Sequence, residues 1–114
     1  MTLLLPRAYW CRREGPGAPV SGTAVAPAAA VDWMRESVRA VTPQLDREAF
    51  ELAWAWLGNH RERELAACVL RSGRPYRHSV RAGCGTWFWS VHPVRVLPSL
   101  ENETDPFCVH WRTL

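Results

Sequence analysis

At 114 residues with a net charge of +3, the chain has room for one domain and excludes a large enzyme scaffold. Hydrophobic residues make up 47% and charged residues 22%, so part of the chain is expected to fold. No run of about 18 apolar residues exists, which argues against a membrane span and for a soluble protein.

All fourteen basic residues are arginine, isoleucine is absent, and seven tryptophans run from Trp10 to Trp111. Arginine binds phosphate or carboxylate bidentately and stacks on indole rings, so such a chain could be an anion or nucleic-acid binder. A GC-rich gene leaves the same imprint without selection on chemistry, and that is the simpler explanation. Charge is unevenly spread: residues 1–31 carry +2, 32–65 carry −2, 66–95 carry +5 and 96–114 carry −2.

Taken from the start, Met1-Thr-Leu-Leu-Leu is cut off by Pro6 and Arg7, too short for the apolar region of a secretory signal. Cytoplasm or nucleus is the expected location. Arg7, Arg12 and Arg13 without an acid leave a mitochondrial presequence as the alternative. Residues 1–13 read as an exposed Arg/aromatic arm. Residues 14–30, with three prolines, three glycines and small side chains, read as a flexible linker. Residues 31–114 are then a single small domain with a weakly ordered C-terminal tail.

Start signals and apolar spacing predict a three-helix module over about 32–72. Asp32 is placed as the cap of a first helix with Met34, Val38 and Val41 on one face. Thr42-Pro43 opens a second helix, striped by Leu45, Ala49, Leu52, Ala53 and Trp56 and stopped at Gly58. Asn59 and Glu62 have capping-box spacing ahead of a third, with Leu65, Ala66, Val69 and Leu70 as its apolar side. Over about 75–97 the period changes to two, and Ala82-Gly83-Cys84-Gly85 supplies turn chemistry for a β-hairpin, with Val94–Leu97 as a further short strand beyond Pro93. Alternation puts Trp87, Trp89 and Val91 on one face and Phe88, Ser90 and His92 on the other. The expected fold class is mainly α with minor β.

Helix two is apolar over most of its circumference, so Phe50, Trp54, Trp56 and Leu57 are the candidate surface for a protein partner or for a second copy of the chain. The alternative is nucleic-acid binding through the acid-free stretch 71–95, with Arg74, Arg77 and Arg81 on phosphates and Trp87 and Trp89 stacking bases. Cys84, Cys108 and His110 form a weak candidate metal set, because only one close ligand pair exists where structural zinc sites usually show two. A thiol nucleophile at Cys84 near a histidine is a further, weaker option. No dinucleotide or phosphate-cradling glycine motif is present, so neither a cofactor nor catalysis is expected.

Overall fold

A computed structural model describes residues 7–97 and 110–113, with side chains described for 7–95. The chain runs β1 (Arg7–Glu14), β2 (Val20–Ala24), α1 (Pro27–Val41), α2 (Arg47–Leu57), α3 (His60–Arg71), β3 (Tyr76–Ala82), β4 (Gly85–Leu97) and β5 (His110–Thr113). The expectation of a mainly helical protein is therefore wrong: strands come first, then helices, then a hairpin, giving a mixed α/β fold. One antiparallel sheet has the order β2-β1-β4-β3, and β5 also pairs with β4.

The largest correction falls on the N-terminal arm and linker. Residues 7–14 are a strand at the centre of the sheet, paired on one side with β2 (Cys11↔Gly22) and on the other with β4 (Cys11↔Val91). The Pro/Gly stretch is not a linker; residues 15–19 form the loop of a hairpin, 20–24 return as β2, and Pro27 sits in the first turn of α1. A proline there sacrifices only an N–H that the helix could not use, and Ala28–Ala30 then extend the helix at low entropic cost. Asp32 does not cap; its Oδ1 accepts from Arg63 Nη2 on α3 at 2.9 Å.

The next helix also starts later than its sequence suggests. Pro43 belongs to a short 3-10 turn over Thr42–Gln44, and the α2 cap is Asp46, whose Oδ1 accepts from the Ala49 amide at 2.9 Å. Its Oδ2 accepts from the Gly83 amide at 2.8 Å, which ties the start of α2 to the β3–β4 turn. These two backbone donors hold the Asp46 carboxyl below its usual pKa. Asn59 does cap α3, accepting from the Glu62 amide at 3.1 Å. Glu62 makes no return contact to the cap; its Oε2 accepts from the Tyr76 hydroxyl at 3.0 Å.

The hairpin expected over 75–97 forms, with Ala82↔Gly85 closing a two-residue connection. Pro93 does not end its second strand. Proline has no N–H for a ladder, and Pro93 falls between the last β3 pair, Tyr76↔Val91, and the first β5 pair, Val94↔Thr113, so β4 continues to Leu97.

The core lies between the helices and one face of the sheet. Tyr9, Cys11, Val80, Trp87, Trp89 and Val91 point into it from the strands. Met34, Val38 and Val41 come from α1, Ala49, Ala53 and Leu57 from α2, and Ala66 and Leu70 from α3. Small residues on α2 and α3 leave room for the two indoles beneath them. Two glycines mark close approaches: a Cβ on Gly15 would lie 2.8 Å from Trp87 Cε3, and one on Gly22 would overlap the Trp33 ring edge.

Candidate functional site

The four residues proposed for a partner separate into two pairs. Ala49, Ala53 and Leu57 define the buried stripe of α2, and Leu57 is part of the core. Trp56 flanks that stripe and is spent inside the protein. Its ring stacks on His78 at 4.2 Å with planes 15° apart, and its Nε1 donates to Tyr76 Oη at 3.4 Å. Phe50 and Trp54 lie one turn apart on the other flank, and they remain in solvent at 39% and 57% exposure. Their rings stack at 5.8 Å, with planes 10° apart. Leu52, on the opposite flank, is also exposed.

The residues proposed for nucleic acid are divided as well. Trp87 and Trp89 are core, each 1% exposed, and cannot stack a base. Trp89 Nε1 donates to Ser37 Oγ on α1 at 2.9 Å, while Arg13 lies over Trp87, 5.2 Å from its centroid. Arg77 and Arg81 are exposed on the other side of β3, and Arg74 Nε donates to Ser72 Oγ outside the sheet. Alternation along β4 anticipated the split, and the side of the sheet carrying Phe88, Ser90 and His92 is the one the helices leave uncovered. Trp10 lies there too, beside His92, and sequence alone does not place it, because β1 shows no strand alternation.

His78 is a further buried group. It lies between Trp56 and Trp89 (ring centroids 4.2 and 6.0 Å), and its Nε2 has no hydrogen-bond partner among the described residues. Burial pulls its pKa down from 6.5 to about 4, with Glu62 opposing weakly through its charge. Cys11 is sealed in the core, and burial pushes its thiol up to about 12. Cys68 and Cys84 are exposed, Cys84 in the β3–β4 turn. Among the described residues, no three histidine, cysteine or acidic side chains are grouped so that they could hold a metal ion. Cys108 lies outside those residues, as does the side chain of His110. Among the described residues, no helix is long and apolar enough to cross a membrane.

The described residues form a two-layer α/β sandwich whose helices cover one sheet face and leave the other uncovered, and whose α2 carries the exposed Phe50–Trp54 pair. Comparison with known protein families, curated proteins and solved structures finds no match to this chain.

Proposed function

We propose that the chain is a non-catalytic interaction module that docks a protein partner on the outer flank of α2, with Phe50 and Trp54 as the anchors. The observation that supports this reading is the stacked pair itself, two large rings ordered against each other while more than a third of each stays in solvent. Large rings that become desolvated dominate interface energetics, and stacking before binding lowers the side-chain entropy lost on docking. Trp56 and Leu57 act as the rigid support, since one is wedged against His78 and the other is core.

The test compares the full chain with its Phe50→Ser/Trp54→Ser variant as bait for partners, and by light scattering for self-association. The variant is expected to keep its far-ultraviolet dichroism, because neither ring fills the core, and to lose the captured partner or the larger assembly. Equal capture and equal mass for both proteins would rule out this flank as the docking surface.

A further inference from the structure

The sheet face turned away from the helices has an order that its strands impose. Partners across an antiparallel ladder point to the same side, so the registers give the face row by row. Glu14, Phe88 and Ser79 form one row. Ser21, Arg12, Ser90 and Arg77 form the next, and Thr23, Trp10 and His92 the third. An arginine row thus lies between two aromatic ones, each about 7 Å from the next along the strands. Arg81, opposite Thr86, adds a further cation beyond Phe88.

The side chains are disposed to use that order. Phe88 stands 54% exposed on the interior strand β4, between Glu14 and Ser79. Trp10 and His92 face each other at 6.2 Å. Arg12 lies over the Trp10 ring at 5.6 Å and pairs with Glu14 at 2.9 Å, so the one acid of these rows is already engaged. Arg77 is exposed beside Ser90 and close enough to His92 to disfavour its protonation, after the larger effect of burial. A depression of about 510 Å³ opens among Arg77, Ser79, Phe88, Ser90 and His92, with the Arg12-paired Glu14 also on its lining and His78 and Trp89 at its floor. At the far end of the face Ala8 and Val94 are buried, so the accessible part runs from the Trp10–His92 row to Arg81.

We infer that this face binds single-stranded nucleic acid, with bases stacking on Phe88 and on the Trp10–His92 pair and phosphates meeting Arg77, Arg81 and Arg12. Charge complementarity selects a polyanion, and alternation of flat rings with cations at the spacing of an extended strand selects one whose bases are unpaired. A duplex keeps its bases inside, where ring faces on a flat sheet cannot reach them. The inference is independent of the partner surface on α2, which lies on the other layer.

The test measures anisotropy of fluorescein-labelled oligo-dT and oligo-U of about twelve nucleotides with the full chain, at about 50 and about 200 mM salt. Phe88→Ala is expected to weaken binding roughly ten- to a hundredfold, and Phe88→Tyr to hold it within about twofold. Arg77→Ala/Arg81→Ala is expected to flatten the slope of log affinity against log salt by about 1.4, the loss of two phosphate contacts. Arg61→Ala, on the outside of α3, and Phe50→Ser/Trp54→Ser should leave affinity unchanged. Any of four results overturns the inference: no binding at the lower salt, a duplex of equal length bound as tightly, no effect of Phe88→Ala, or a loss with Arg61→Ala equal to that with Arg77→Ala/Arg81→Ala.

Discussion

Acidification should destabilise this protein through His78. In the native state its ring is held between Trp56 and Trp89, its Nε2 has no hydrogen-bond partner among the described residues, and its pKa is about 4 against 6.5 for an ordinary histidine. Among the described residues, Glu62 on α3 favours the protonated ring through its charge, and it does not offset burial. The unfolded chain takes up the proton below pH 6.5 and the folded chain does so only near pH 4, so native stability falls as pH drops through that window. At pH 5 the full shift corresponds to about 2 kcal/mol lost relative to neutral pH, and allowing for the part of the ring that still meets solvent the expected loss is about 1 to 2 kcal/mol. Urea unfolding at pH 7.5 and pH 5, for the wild type and for His78→Phe, isolates this contribution, because the other titrating groups are common to both. The difference between the two proteins should shift by that amount in favour of the variant at the lower pH. A difference that does not change with pH, or a native His78 ring that titrates near 6.5 by NMR, would refute the argument.

Three further expectations follow from packing. Trp89→Ala should cost about 3 to 5 kcal/mol in urea unfolding, since the ring is core and its Nε1 holds Ser37; Trp54→Ala should stay within about 1 kcal/mol, and equal costs would contradict the assigned burial. Gly22→Ala should destabilise by about 1 to 3 kcal/mol through the Trp33 ring edge, and a stabilised variant would show that β2 and α1 are not packed this closely. Thiol labelling of the native protein near pH 8, mapped by peptide mass spectrometry, should modify Cys68 and Cys84 and spare Cys11 until denaturant is added; rapid labelling of Cys11 would contradict a sealed thiol at about 12.

What the sequence disclosed and what it hid follow from the range of the interactions involved. α3 and the β3–β4 hairpin are carried by short-range signals, the Asn59 cap and the Gly83-Cys84 turn, and are legible in place, whereas α2 is legible in its apolar stripe and its Gly58 stop but not in its start, which Asp46 sets through the Ala49 amide and the distant Gly83 amide. β1 is not legible, because both of its faces carry aromatic or arginine residues, Trp10 and Arg12 on one and Tyr9 and Arg13 on the other, so no apolar/polar alternation shows. Its pairing partner in β4, Tyr9↔Pro93, lies near the opposite end of the chain, and such a contact leaves no local mark. Without β1 as a strand, the Pro/Gly hairpin loop at 15–19 has the composition of a linker. The candidate surfaces inherit the same division. Phe50 and Trp54 were found from helical spacing alone, whereas Trp10 could be placed beside His92 only by a sheet register.

The missing lysine takes on a different meaning in each layer. On the helices, Arg39–Glu36 and Arg47–Glu51 are exposed pairs one turn apart, contacts that a lysine ammonium would make about as well. Nothing in that layer requires arginine, and codon composition suffices to explain it. On β1 the demand is different. Arg13 lies over the Trp87 ring, and Arg12 lies over Trp10 while its Nε pairs with Glu14, a double contact that needs a planar cation with donors in its plane. Lysine at position 12 could keep the ion pair only by giving up the geometry that leaves Trp10 flanked by charge. β1 is therefore where arginine has a chemical reason to be arginine, and it is also the strand that brings Trp10 to the open face.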